Sequence, residues 1–402
     1  MNKDIYIYFD DENTAKPVMV GVLSAQQVRG REVFSFEFAD EWLSNSQCHL
    51  LDPDLQLYKG KQYLPDNKSN FGLFLDSSPD RWGRVLLDRR HRINLQESDY
   101  LLGVFDESRM GALRMKLSPD GDFLDNDPSY STPPFTLLRE LENAVWNLEQ
   151  DNDADVSRWL QMLLAPGSSL GGARPKANVK DIEGNLWIAK FPSRNDKKDV
   201  GAWEALTMSL AKQCGIKVAP FEAKNLANRH STFLTKRFDR SDKGKRIHFT
   251  SAMTMLGYTD GDTSGCSYLE LFEWIGENCV DVEENLAEMW RRIVFNIAVS
   301  NCDDHLRNHG FLLTKKGWTL SPAYDLNPQE YGAGLSLNIN GSDNALDYSL
   351  ALEVAKYAGI SDSVAEIIIN HTKEVVAGWR SLANLYHISR DEQEMMAKAY
   401  KV

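Results

Sequence analysis

The sequence predicts an α+β chain in two lobes, β-rich at first and mainly helical afterwards. Three observations lead there. Residues 5–9, 19–24 and 33–38 cluster or alternate β-formers between polar breaks, the pattern of a strand meander. From Tyr268 onward, apolar residues recur at helical spacing. Between these regions a Gly-rich loop feeds a short apolar strand pair. At 402 residues the chain exceeds one ordinary core, so three regions are expected: 1–120, 135–238 and 239–402.

The elements follow in order. Ser78 to Leu87 reads as a capped helix with Pro79 in its first turn. Asp120 to Pro134, rich in Asp, Ser, Thr and Pro, reads as a linker. Helices are expected over 136–152 and 155–164. The loop Pro166 to Lys176 comes next, then strands at 177–179 and 186–191 around a Glu183-Gly184 turn. A helix over 200–214 ends at Gly215, and 233–238 is a further strand. Leu286, Met289, Trp290, Ile293, Val294, Ile297 and Ala298 form the apolar stripe of a helix that delivers the segment Ser300 to Asn308.

Composition narrows the function classes. An apolar fraction of 42% with ten Trp describes a folded globular protein. No apolar run reaches membrane-spanning length, and Met1-Asn2-Lys3-Asp4-Ile5 has no signal-peptide pattern. The five cysteines contain no Cys-x-x-Cys pair, which suits thiols in a reducing cytoplasm. A net charge of −13 argues against direct binding to nucleic acid and leaves open a complex mediated by a basic partner.

The chemistry concentrates at Asp303, Asn308 and Asp325. An Asp, an Asn five residues on and a later Asp form the arrangement of protein kinases, in which transfer of a phosphoryl group rests on positioning and charge neutralisation. Asp303 would serve as catalytic base, and Asn308 and Asp325 would hold magnesium through hard oxygen donors. His305 lies between them, placed to hold the loop by a side-chain hydrogen bond. Upstream, Gly171, Gly172 and Ala173 leave backbone N–H groups open to phosphate oxygens, with Arg174 and Lys176 adding positive charge at the exit. Lys190 sits in an otherwise apolar strand, where a buried ammonium needs a partner; ATP phosphates and Glu204 of the next helix are candidates. The expected fold is therefore a bilobal, protein-kinase-like one. Competing readings are a Gly/Ser turn, a snorkelling lysine and an ordinary helix-to-hairpin turn. A zinc site at His305 and His309 is disfavoured, because His309 already enters an apolar strand.

Together these residues resemble the HipA-like serine/threonine kinase toxins of bacterial toxin–antitoxin modules. The similarity runs through Ser169 to Lys176, Ile188 to Pro192, Lys236 to Arg240, Asp303 to Asn308 and Leu320 to Asp325. Leu75 to Arg84 and Arg109 to Arg114 resemble that family's additional N-terminal β-rich subdomain. The resemblance implies an ATP phosphate loop at Gly171 to Lys176, a strand lysine at Lys190 and an adenine hinge at Lys236, Arg237 and Phe238. It likewise implies ATP contacts from His305 and Tyr324 beside Asn308 and Asp325. It further implies self-inactivation by phosphorylation of Ser169, with Ser168 a second candidate. The implied partners are a small DNA-binding antitoxin of the HipB type and a protein substrate such as an aminoacyl-tRNA synthetase. Nucleic acid would be met only through the antitoxin, and no membrane is involved. A nucleotide-binding regulator without transferase activity and a small-molecule kinase share most of these features. Three positions depart from the family pattern: Asp304 where Gly is expected, Arg174-Pro175 where two polar residues are expected, and Lys236 where Glu is expected.

Overall fold

The computed structural model describes residues 2–45, 48–65, 67–91, 94–124, 132–150, 162–163, 174–227, 230–261 and 265–402. The chain divides into two compact units that interleave along the sequence: Met1–Arg194 with Arg237–Thr259, and Asn195–Lys236 with Asp260–Val402. These boundaries differ from the three regions expected from the sequence, since 135–238 and 239–402 each contribute to both units.

The first unit opens with β1 (Lys3–Phe9), β2 (Val18–Val28) and β3 (Arg31–Phe38), the expected meander. With β4 (Lys61–Tyr63) and β5 (Leu113–Lys116) they form an antiparallel sheet of order β4-β3-β2-β1-β5. The period-2 pattern does its work here, because Ile5, Ile7 and Phe9 on β1 and Phe34, Phe36 and Phe38 on β3 are buried. Helices Arg81–His91 and Glu97–Leu102 follow, then Leu138–Leu148 inside the expected 136–152 span. The helix expected over 155–164 lies almost wholly outside the described residues. β6 (Lys176–Lys180) and β7 (Leu186–Lys190) pair antiparallel through a turn in which Gly184 adopts φ +84°.

Arg237–Thr259 belongs to this unit because of a buried ion cluster. Asp239, fully buried, accepts from Arg237 Nε (2.8 Å) and Nη2 (2.6 Å), from Arg240 Nη1 (2.5 Å) and from the Gly111 backbone N–H (2.8 Å). Gly111 sits at φ +70°, a conformation that costs glycine little and lets its N–H face the carboxylate. Burial alone would raise the Asp239 carboxyl, but Arg237 and Arg240 hold it far below the usual carboxylate range.

The second unit is mainly helical: Val200–Gln213, Tyr268–Asn278, Val282–Val299, Tyr348–Ala355, Asp362–Ala377, Trp379–Leu385 and Arg390–Met396. It also holds the antiparallel pairs Phe221–Lys224 with Thr232–Lys236 and Gly310–Thr314 with Gly317–Leu320. Asp199 caps Val200–Gln213 by accepting from Ala202 N (3.0 Å), and it also accepts from Ser231 N and Oγ. Gly201 is required at that junction: a Cβ there would lie 2.2 Å from the Ser231 carbonyl oxygen. The unit's core joins Trp203, Leu206 and Leu210 to Phe295, Ala298, Trp379 and Tyr400. Among the described residues, no helix is long and apolar enough to cross a membrane, and all five cysteines are free thiols.

Candidate active site

In the second unit, Val282–Val299 brings the chain to the loop. The expected stripe residues Met289, Trp290, Ile293, Val294, Ile297 and Ala298 are buried, and from Arg292 to Asn301 every residue is buried. The helix stops because Ser300 turns left-handed (φ +49°), with Asn301 N bonded back to the Asn296 carbonyl at 2.9 Å. A β-carbon makes that conformation costly, and Ser300 is held in it by its hydroxyl, which donates to the Ala399 carbonyl at 2.6 Å.

The loop then alternates in direction. Asp303 is exposed, whereas Asp304 is buried and accepts from the Tyr268 hydroxyl and from His309 Nε2 (2.8 Å). Burial pushes the Asp304 carboxyl up, but the charge and hydrogen bond of His309, with the Tyr268 hydroxyl, bring it below the usual range. Burial and the neighbouring Asp304 push the Tyr268 phenol well up, so it stays a donor. Asn308 Oδ1 accepts from His305 N at 3.1 Å, closing a short turn, and Tyr324 donates to the Arg307 carbonyl at 2.6 Å. The contact with Asn308 is made by the His305 backbone N–H and not by the side chain that the sequence suggested.

Asn308 and Asp325, expected to share a metal, come together: Asn308 Nδ2 lies 3.3 Å from Asp325 Oδ2. Asp325 occupies the left-handed region at φ +59°, a strained position of the kind that accumulates at functional sites. Its other oxygen accepts from Asn327 Nδ2 at 3.2 Å. A carboxylate and an amide converging from two loops fit magnesium, which takes one or two protein oxygens and fills its octahedron with water and phosphate. For its oxygen to stand beside the carboxylate, the Asn308 amide would have to turn and give up its bond to His305 N.

In the first unit, most of the Gly-rich loop, including Ser168, Ser169, Gly171, Gly172 and Ala173, lies outside the described residues. Its exit is held by hydrogen bonds. Arg174 Nη2 donates to the Phe191 carbonyl (3.1 Å), and Phe191 N donates to the Pro175 carbonyl (2.9 Å). Lys176 is buried against Asp80 at 2.8 Å, and its carbonyl accepts from Trp82 Nε1 at 3.1 Å. Lys190 stands half-buried directly opposite Lys176 in the β6–β7 pair.

Arg237 directs its guanidinium to Asp239, the Ser108 carbonyl and Asn178, so this side chain, like that of Lys176, points into the unit's interior. Phe238 is half-buried with its ring 5.8 Å from Phe249. Lys236 and Glu204 belong to the second unit, Lys236 half-buried and Glu204 buried on Val200–Gln213.

Sequence reading did not find Tyr268, Asn296, Asn301, His309 or Asn327 as parts of the site. The one available signal was Asp304, a charged residue where the family pattern has Gly. It points inward and finds its neutralising partners in residues distant along the chain.

The chain is similar to known proteins in family and in fold. The family described as HipA-like C-terminal domain matches residues 168–379. The serine/threonine-protein kinase toxin HipA of Shewanella oneidensis is 26% identical over 228 residues, 50% of this chain and 52% of that protein. Y4mE of Sinorhizobium fredii, provisionally named a kinase, is 26% identical over 181 residues, 39% of this chain and 41% of that one. The chain thus spans about half the length, or less, of these curated relatives. The structure of the Shewanella oneidensis HipA, solved with HipB and operator DNA, is similar across 98% of this chain and 94% of its own, with TM-score 0.68 and 18% identity. That likeness shows the fold: the expected mixed helix-and-sheet, kinase-like class with a β-rich N-terminal region is borne out.

Proposed function

This chain belongs to the family defined by the HipA-like C-terminal domain, and from that membership and the site we propose that it is an ATP- and magnesium-dependent serine/threonine protein kinase. The observation that carries the proposal is the convergence of Asn308 and Asp325 from two loops, with an exposed Asp303 in the same loop as Asn308. Phosphoryl transfer asks little covalent chemistry of a protein and much positioning. Asp303 would orient the acceptor hydroxyl and take its proton. Asn308 and Asp325 would hold magnesium, which when bound neutralises charge on the phosphates.

Gly171, Gly172, Ala173 and Arg174 would line the phosphates with Lys190. The side chain of Lys176 would fix the loop's exit through Asp80, and Lys236, Arg237 and Phe238 would meet adenine through their backbone. His305 and Tyr324 would hold the loops around the nucleotide. Phosphorylation of Ser169, or else Ser168, adds about −1.5 to −2 charges to a loop meant for ATP phosphates and would switch the enzyme off. In the cell the protein would act in the cytoplasm as a growth-arresting toxin restrained by a HipB-type antitoxin. Its substrate would be a protein, with an aminoacyl-tRNA synthetase one candidate.

The test is incubation with labelled ATP and magnesium beside Asp303→Asn, followed by mass-spectrometric mapping. Phosphate at Ser169 or Ser168 in the wild type and none in Asp303→Asn is expected. Equal labelling of the two proteins overturns the assignment of Asp303.

A further inference from the structure

The second unit contains a chain of hydrogen bonds that links both loops of the site. Asp304 accepts from Tyr268 and His309. The Tyr268 oxygen accepts from Asn296 Nδ2 (3.3 Å), and Asn296 Oδ1 accepts from Asn301 Nδ2 (3.0 Å). Asn301 Oδ1 accepts from Asn327 N (3.2 Å), and Asn327 Nδ2 donates to Asp325 Oδ1 (3.2 Å). Asp325 Oδ2 faces Asn308 Nδ2, which returns the path to the loop beside His309.

Donors and acceptors agree at every step. The Asn296 and Asn301 amides are each fixed at both ends, the Tyr268 oxygen donates once and accepts once, and Asn327 Oδ1 and His309 Nδ1 are left without a partner. Tyr268, Asn296, Asn301, Asp304 and His309 are all buried. A buried polar network costs stability wherever it is left incomplete, and when complete it selects one geometry.

We propose that Tyr268, Asp304 and His309 are positioning residues that set the relative placement of Asp303, Asn308 and Asp325, and so determine the transfer step and not nucleotide affinity. The proposal rests on the kinase reading. The Asp304–His309 bond joins the residue after Asp303 to the residue after Asn308, stapling the loop at both ends. Tyr268, from a different helix, ties that staple through the three asparagines to the loop of Asp325. None of the three reaches the exposed face where Asp303 lies, so each acts through another group.

The test uses Tyr268→Phe, His309→Leu and His309→Gln in the full chain. Tyr268→Phe keeps the ring and leaves Asp304 bonded to His309, so folding, followed by thermal unfolding, is preserved. His309→Gln retains an N–H near the position of Nε2, and His309→Leu does not. Displacement of a catalytic group by about 1 Å costs on the order of a hundredfold in rate. Tyr268→Phe and His309→Leu are therefore expected to lower kcat at least about tenfold with KM for ATP within about twofold, and His309→Gln to recover most of the loss.

Mn2+ binding in the presence of a non-hydrolysable ATP analogue, followed by electron paramagnetic resonance, gives a readout independent of turnover. An altered Mn2+ signal in Tyr268→Phe, at unchanged analogue affinity, is expected. Unchanged kcat and signal in Tyr268→Phe and His309→Leu, or a raised KM alone, overturns the inference and leaves the kinase reading standing. A wild-type chain that binds no Mn2+–nucleotide and transfers no phosphate overturns both.

Discussion

Replacement of Asp80 removes one member of a buried ion pair in the first unit. The Lys176 and Asp80 side chains are 3% and 4% exposed, and Nζ lies 2.8 Å from Oδ2. The second carboxylate oxygen accepts from Gly83 N (2.8 Å), which caps Arg81–His91. Burial pushes the Asp80 carboxyl up while the charge of Lys176 and the backbone N–H groups oppose it, so the carboxylate depends on its partner.

Asp80→Ala therefore removes a cap worth about 1 kcal/mol and strands a buried ammonium at about 3–5 kcal/mol. A total of about 4–6 kcal/mol is a large part of the roughly 5–15 kcal/mol that stabilises a domain. Asp80→Asn can keep the capping oxygen and loses only the charge; Lys176→Met removes the other partner. The double variant should recover most of the loss, because replacing both members of a buried pair is close to neutral.

Urea unfolding of the two singles and the double yields the coupling energy, expected at about 2 kcal/mol or more. A coupling under about 0.5 kcal/mol, or a cost for Asp80→Asn under about 1 kcal/mol, refutes the buried pair.

Three further outcomes follow from the same reasoning. Burial holds the His248 imidazole down at about 3, with His49 adding to the effect, against an unfolded value of about 6.5. The unfolded chain then binds more protons between those values, so stability is full above about pH 6.5 and is lost at roughly 1.4 kcal/mol per pH unit on acidification; His248→Asn should flatten a plot of unfolding free energy against pH by that slope. Asp52, pushed up by burial to about 6, should act in the opposite sense, its contribution present below about pH 4 and lost as pH rises through about 6; Asp52→Asn should remove that term from the same plot. Gly201→Ala drives a methyl into the Ser231 carbonyl and should cost about 2 kcal/mol or more by urea unfolding, and an unchanged midpoint would show that the helix end can move aside.

Much of the site was legible before any fold was known, because its chemistry is local. Asp303 and Asn308 lie in one short run and Asp325 follows one hairpin later, so spacing alone groups them. The strand meander was legible for a similar reason: Ile5, Ile7 and Phe9 record a period of two. The helix feeding the loop was legible from its apolar stripe, although Arg292, Asn296 and Glu288 are buried with it. No periodicity announces those three, because each also depends on a partner outside the helix: Arg292 on the Ser321 carbonyl, Glu288 on Lys217 N and Asn296 on the Tyr268 hydroxyl.

What only the tertiary structure decided is which charged and polar residues face inward, and with whom. Asp304 and Asp303 are adjacent and identical in type, yet one is exposed and the other is buried with Tyr268 and His309, because the left-handed turn at Ser300 sets the direction of the loop. Lys176 and Arg237 read as residues for a nucleotide; packing assigns their side chains to Asp80 and Asp239. A linear pattern records the periodicity of burial and the spacing of ligands, since both arise from the local geometry of the backbone. The pairing of buried charges depends on contacts between residues far apart in sequence, and only the folded chain specifies them.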